Sequence, residues 1–382
     1  MDRLKMNVKE TLAELVAINS VSALPNEPII TYLERRVESL GFVTRRFSYI
    51  DETTVEKINL IAVAGTKLSE PTEVELALVG HTDTVPFDPN WHEALKLTER
   101  DGNLFGRGSC DTKAFIAAAL TAVQDFDLAR LRRPLAFVFT ADEEIGLRGA
   151  KYLADLKLFR PRYSVVGEPT SLQPIRAGKG YSLAEILVRG REAHSAYPSL
   201  GRSAIIGATR LISRLEEIAA KLKSDQHEDF DPSYTTLNVG LIRGGTAKNI
   251  IAGECRFTLE WRPVPNQTSK HVLDLVKSAI DEEMHANPGF EAEVILERLD
   301  SGFETAPDSE LVALLERLTG NAASTVAFGT EAAQMTLLGS EAVVLGPGNI
   351  REAHRTGEFV PISELERCVE ILRQTISTLC IV

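Results

Sequence analysis

Val74-Glu75-Leu76-Ala77-Leu78-Val79-Gly80 runs directly into His81-Thr82-Asp83. A short apolar run bounded by glycine is the pattern of a strand buried on both faces of an α/β sheet. Such a fold assembles its site on the loops beyond the carboxyl ends of its strands. The same punctuation recurs along the chain. Leu135-Ala136-Phe137-Val138-Phe139-Thr140 leads into Ala141-Asp142-Glu143-Glu144, and Tyr163-Ser164-Val165-Val166-Gly167 into Glu168. Ala342-Val343-Val344-Leu345-Gly346 precedes His354 by a short loop. Asp111 follows the Gly-rich stretch Gly106-Arg107-Gly108-Ser109-Cys110, at the mouth of an Ala-rich helix.

Working outward, apolar residues at helical spacing (Leu4, Val8, Leu12, Leu15, Val16) predict an amphipathic helix over 4–17, and a second over Pro28–Leu40 ends at Gly41. Strands are predicted at 42–49, 57–64, 73–80 and 135–140, and helices at 113–126 and 146–157. This alternation predicts an α/β sheet with helices on both faces. The texture changes after about residue 173. Strand Ser182–Arg189, helix Ser203–Leu222, strands Thr235–Ile242 and Cys255–Trp261, helix Ser269–Ala286 and strand Glu291–Leu296 give a β-α-β-β-α-β order, that of a ferredoxin-like sandwich. The α/β pattern then resumes with helices at 309–319 and 330–338, a strand at 341–346 and a helix at 362–379. The expectation is a discontinuous first domain, 1–173 plus 287–382, interrupted by an inserted domain over 174–286, with the strand near 291–296 able to belong to the insert. Lys223–Asp231 reads as a surface loop.

The bulk properties narrow the function classes. A chain of 382 residues with 44% hydrophobic and 25% charged residues builds a full core, so metals would serve chemistry and not rescue a small fold. A net charge of −12 argues against a nucleic-acid partner. No stretch reaches the apolar length of a membrane helix, and the N-terminus lacks a signal peptide's apolar core. The four cysteines, Cys110, Cys255, Cys368 and Cys380, have no CxxC spacing and read as reduced thiols of a cytoplasmic protein.

Two histidines and several carboxylates at strand ends form a ligand set for two divalent metals, suited to zinc with cobalt or manganese as substitutes. Metals roughly 3.5–4 Å apart share a bridging carboxylate. Asp111, short and on a loop able to approach the strand ends, is the best bridge. Asp83, two residues after His81, is placed to accept that ring's other N–H. Consecutive Glu143 and Glu144 cannot both point the same way, so one ligates while the other addresses the attacking water. With Glu144 as ligand, the four positive charges of two Zn²⁺ are balanced by Asp111, Glu144, Glu168 and a bridging hydroxide, leaving Glu143 free to cycle a proton. Each member alone is an ordinary residue: a histidine after a strand is commonly structural, and a Glu-Glu pair commonly a solvated helix start. His92, His227, His271 and His285 lack the strand-end context and read as surface or packing residues.

Gly80-His81-Thr82-Asp83-Thr84-Val85-Pro86, Gly106 to Lys113, and Thr140-Ala141-Asp142-Glu143-Glu144 together resemble the metal motifs of the di-zinc aminoacylase and carboxypeptidase family. Gly167-Glu168-Pro169-Thr170-Ser171-Leu172-Gln173-Pro174 is similar to its acetylornithine deacetylase branch in particular. So are Thr236-Leu237-Asn238-Val239-Gly240, Gly329-Thr330-Glu331-Ala332, and Leu345-Gly346-Pro347-Gly348 running to His354. The matches span about residues 12 to 375 in the right order; Thr112 and Ala114 depart where the family has Met and Gly. The resemblance implies a di-zinc peptidase-like catalytic domain and an inserted domain that dimerises. His81 and Glu168 would hold one zinc, Glu144 and His354 the other, with Asp111 bridging, Glu143 as general acid/base and Asp83 orienting His81. His194, in Gly190-Arg191-Glu192-Ala193-His194-Ser195-Ala196-Tyr197-Pro198, would reach the partner's site to stabilise an oxyanion; read from its own residues it is a surface loop histidine. Lys248, Asn249 and Arg262 match substrate-binding positions, with Lys179 a weaker match; an ordinary salt bridge is the equal reading for Arg262. The implied reaction is attack of a metal-bound hydroxide on N-acetyl-L-ornithine. Succinyl-diaminopimelate desuccinylation, another N-acyl amino-acid deacylation, and a non-catalytic zinc-binding dimer are the alternatives.

Overall fold

In the computed structural model, which describes residues 6–381, the chain divides into two compact units. The first comprises 6–176, 304–324 and 330–381; the second comprises 177–303 and 325–329.

Six strands of the first unit lie in the order Val43–Ile50, Glu56–Ala64, Leu135–Thr140, Thr72–His81, Phe159–Val166 and Glu341–Val344. The first two pair antiparallel, and Glu56–Ala64 runs antiparallel to Leu135–Thr140. The last four are mutually parallel. Parallel strands must be covered on both faces, and these are. Leu60, Ala62, Leu76, Leu78, Leu135, Phe137 and Phe139 pack into one cluster with helices Val8–Ala17, Glu27–Leu40, Lys113–Val123, Glu310–Thr319 and Ile362–Ile376. The alternate residues Ile61, Val63, Ala77, Val79, Ala136 and Val138 are equally buried but belong to the other face, which helices Arg148–Leu156 and Ala332–Leu337 cover.

Helix Lys113–Val123 lies directly under the site and is buried along nearly its whole length. Its small side chains permit close packing: a Cβ added at Gly167 would lie 2.2 Å from the Phe115 ring, so the residue before Glu168 must be glycine. Gly346 is held as tightly: a Cβ there would lie 2.4 Å from the Glu168 carbonyl oxygen.

The second unit carries a four-stranded antiparallel sheet in the order Thr236–Gly244, Glu254–Arg262, Ser182–Arg189, Glu291–Leu299. Helices Ala204–Leu222 and Lys270–Ala286 pack on it around Phe257, Trp261, Leu211 and Val276. Because Glu291–Leu299 pairs along Ser182–Arg189, the unit runs to Phe303, not to 286.

Helix and strand expectations are met within a few residues, Leu135–Thr140 and Ser182–Arg189 to the residue. The first helix is described from Val8; Leu4 lies outside the described residues. Three short strands, Thr98–Arg100, Asn103–Phe105 and Phe359–Pro361, form a small sheet that the sequence reading missed, since three residues carry no periodicity. Among the described residues no helix is long and apolar enough to cross a membrane.

Candidate metal centre

The four parallel strands deliver their carboxyl ends to one place. His81 closes Thr72–His81, Glu143 and Glu144 follow Leu135–Thr140, Glu168 follows Phe159–Val166, and His354 lies ten residues beyond Val344. Asp111 stands two residues before helix Lys113–Val123.

Asp111 occupies the centre. Its Oδ1 lies 3.1 Å from His81 Nε2 and its Oδ2 3.1 Å from His354 Nε2. One carboxylate thus turns one oxygen to each histidine, as a bridge between two metal subsites would. His354 Nε2 also lies 3.0 Å from Glu144 Oε2. Ligand atoms of His81, Asp111 and Glu144 fall within 4.8 Å of one another, close enough to hold a cation. Glu168 is 7% exposed. Burial first, then repulsion from Asp111 and Glu143, hold its pKa well above the usual carboxylate range. Glu143 is raised in the same way, by burial and by Glu144, Glu331 and Asp111, against the attraction of His81. Burial also raises Glu144, against its hydrogen bond with His354. Burial opposes the ionisation of Asp111 too, but its contacts with His354 and His81 prevail and keep it ionised. The same contacts, with Glu144, push His354 up to about 10. Burial pulls His81 down, yet Asp111 and Asp83 together leave it well above its ordinary value. Buried carboxylates facing two imidazoles whose proton affinity they raise form a donor set that divalent cations fit, since a cation can take the place of the ring protons.

Asp83 does more than expected. Its backbone carbonyl lies 3.0 Å from His81 Nδ1 and is the closer partner; its carboxylate Oδ1 is 3.6 Å away. A ring N–H donated there leaves Nε2 free for a metal. The carboxylate accepts instead from the Glu143 and Glu144 backbone N–H groups at 3.1 and 3.3 Å and from Ser22 Oγ at 2.7 Å. One side chain therefore ties the His81 strand to the paired glutamates.

Several supporting residues escaped the sequence reading. Asp142 has φ 56°, a left-handed conformation that aspartate tolerates better than most residues. It is held by Lys57 Nζ at 3.1 Å and by the Tyr49 hydroxyl at 2.8 Å. Asn59 accepts from Ala141 N at 3.0 Å and donates to Gly149 O at 3.3 Å, spanning the turn that presents Glu143 and Glu144. Glu358 accepts from the Cys110 and Asp111 backbone N–H groups. Glu331, recognised only as part of a motif, is 1% exposed. Neither of its oxygens makes a hydrogen bond of ordinary geometry, although the Thr140 hydroxyl lies near enough to draw its pKa down. Burial outweighs that and pushes it up to about 7. Their common signal, an isolated polar residue within or beside an apolar run, is visible for Lys57 and Asn59 in Glu56–Ala64.

The remaining predicted residues belong to the second unit. His194 is exposed and its loop runs beside that of Asn249: Ser195 N donates to Asn249 O at 3.0 Å, and Ile251 N to Ala193 O at 2.8 Å. Lys248 and Asn249 are exposed. Arg262 donates to Glu260 at 2.8 Å and to Ala327 O at 3.3 Å, with its guanidinium over the Tyr181 ring. Lys179 is buried and donates to the Pro232 and Tyr234 carbonyls, a structural cation. Cys110 is buried, with burial pushing its thiol far above the ordinary range, so it is no nucleophile.

Known proteins extend this picture. The chain is 50% identical to an acetylornithine deacetylase of Myxococcus xanthus over 98% of its own length and 97% of that protein's. It is 36% identical to one of Proteus mirabilis (strain HI4320), covering 98% and 99%. A tripeptidase structure from Staphylococcus aureus superposes with a TM-score of 0.77 at 25% identity, covering 98% of each chain. The sequence pattern of peptidase family M20/M25/M40 matches residues 77–378. With strand-end donors in the order and geometry described, and with that match across most of its length, the chain belongs to peptidase family M20/M25/M40.

Proposed function

We propose that the protein is a cytoplasmic two-metal amidohydrolase that converts N-acetyl-L-ornithine and water to L-ornithine and acetate, a step of arginine biosynthesis. The 50% identity with the Myxococcus xanthus acetylornithine deacetylase over 98% of the chain carries this reading; the complete set of His81, Asp111, Glu143, Glu144, Glu168 and His354 supports it. His81 and Glu168 would hold one Zn²⁺, Glu144 and His354 the other, and Asp111 would serve both through its two oxygens. Bound divalent cations supply Lewis-acid polarisation of the scissile carbonyl and lower the pKa of water.

The chain's own groups do the rest. Asp83 fixes the His81 tautomer and the backbone of the glutamate pair. Glu143 takes the proton of the attacking water and returns it to the nitrogen as the C–N bond breaks. Burial raises its proton affinity, as suits a group that must accept a proton before it releases one. Arg262, Lys248 and Asn249 would meet the polar groups of the substrate.

The test is a comparison of kcat/KM on N-acetylornithine, N-succinyl-diaminopimelate and neutral acetyl-amino acids, with and without added zinc. N-acetylornithine is expected to lead by at least about tenfold, the discrimination a few correctly paired polar groups provide. A faster rate on the succinyl substrate would move the assignment to the desuccinylase.

The second unit is proposed to form a homodimer that brings His194 to the partner's site. The edge strand Thr236–Gly244 exposes Leu241 and Ile242, at 59% and 51%, on a sheet edge that a second copy could cover. Mixing His194→Ala protein with Glu143→Ala protein should regain activity that neither has alone. No recovery in a verified mixed dimer would return His194 to its own subunit or to the surface.

A further inference from the structure

We infer that Glu358 is a positioning residue that locks the Asp111 loop to the His354 loop and so sets the spacing of the two metal subsites. The inference rests on the two-metal reading above. Glu358 is wholly buried, four residues beyond His354. Its Oε1 accepts from Cys110 N at 2.9 Å and from Asp111 N at 3.0 Å, and its Oε2 pairs with the Arg107 guanidinium. Its backbone carbonyl accepts from Gly106 N at 3.1 Å and from Ser109 Oγ at 3.3 Å. One residue thus grips the 106–111 loop at both ends. The neighbouring register continues the grip, since Phe359 pairs with Phe105 and Val360 with Leu104.

The consequence for Asp111 is geometric. A carboxylate accepting its backbone N–H fixes the direction in which its side chain leaves the chain, and Asp111 then presents one oxygen to each histidine. His354 is less enclosed than Asp111: its side chain is half exposed and its φ is 58°. The His354 loop is therefore held against Asp111 from its far end, through Glu358. Buried partners behind metal ligands change metal affinity by about 10–100-fold when removed.

The experiment uses the full chain in an Arg107→Met background, so that an amide at 358 does not face an unpaired guanidinium. Glu358→Gln retains an acceptor for both N–H groups; Glu358→Met removes it. Each variant, stripped by chelation, is titrated with Co²⁺, reading stoichiometry, affinity and the d–d absorption spectrum. The Gln variant is expected to bind two ions within about threefold of the parent's affinity, and the Met variant to bind the second ion at least about tenfold more weakly with an altered spectrum. Equal affinities and spectra for the two folded variants would overturn the assignment. If the Met variant does not fold, Glu358→Asp, which draws the acceptor back from both N–H groups, takes its place: second-ion binding at least about tenfold weaker than in the Gln variant supports the role, and affinities equal to the Gln variant's overturn it. An unsubstituted chain that binds no metal sinks the two-metal reading and this inference with it, whereas two ions bound equally by all variants sinks only the inference.

Discussion

Glu143→Ala should keep both metals and lose at least about a hundredfold in kcat, because a positioned acid–base group contributes 10²–10⁴. The two glutamates of the pair stand in different surroundings. Glu144 is in contact with His354 and near Asp111, as a ligand must be. The Glu143 carboxyl makes no such contact with a histidine among the described residues; burial first, then Glu144, Glu331 and Asp111, raise its pKa against the attraction of His81. Its backbone is fixed independently of its side chain, since Asp83 accepts its N–H at 3.1 Å. Truncation at Cβ should therefore leave the ligand geometry in place, and metal content measured on the purified variant should equal that of the parent. Glu143→Gln, which keeps size and removes the basic oxygen, should fall as far in kcat with little change in KM. A Glu143→Ala rate within about threefold of the parent would place the base elsewhere, and Glu331, buried with both oxygens unpaired, would be the first residue to substitute.

The strands were legible because each carries its evidence within a few residues. Leu135–Thr140 is six apolar or β-branched positions followed by Asp142-Glu143-Glu144, and no other element type accommodates that run so well. The grouping of the candidate ligands was legible for the same reason: a polar residue stands at or just beyond the end of each run. What supports the ligands was not, because its members are distant in sequence and individually unremarked. Glu358 and Asp111 are 247 residues apart and meet only when the chain has folded. Lys57 is visible as a polar residue at the head of an apolar run, but its partners are not: Asp142, Ser22 and Leu24 surround its ammonium only in the folded chain. The extent of the second unit was uncertain because Glu291–Leu299 alternates with exposed residues, as an edge strand does, and only its pairing with Ser182–Arg189 assigns it.

Metal-free protein should lose stability as pH rises from about 6 to about 9, and saturation with Zn²⁺ should offset that loss. Folding raises the pKa of Glu331 to about 7 and of His354 to about 10, and raises those of Glu143, Glu144, Glu168 and His81. A group with a raised folded-state pKa binds more protons folded than unfolded. Its contribution is greatest below the unfolded pKa for the histidines, and declines as pH climbs through the folded value. For the glutamates the loss runs from the ordinary carboxylate range up to the raised value, about 7 for Glu331. Each proton difference amounts to about 1.4 kcal/mol per pH unit while it persists. His354, half exposed, contributes less than a buried group would. Asp111 and Asp83 are shifted down, so their favourable terms are complete by about pH 5 and do not alter the slope above it. Divalent ions reverse the sign of the problem, because they require neutral imidazole and ionised carboxylate and so expel the protons that stabilise the metal-free site. Thermal melts in chelator and in saturating Zn²⁺ should therefore diverge as pH rises, the gap at pH 9 exceeding that at pH 6. Two parallel curves would mean that the metals displace no protons from these residues. The ion site would then lie elsewhere, for a cation held by His81, Asp111 and His354 must compete with protons for the same atoms.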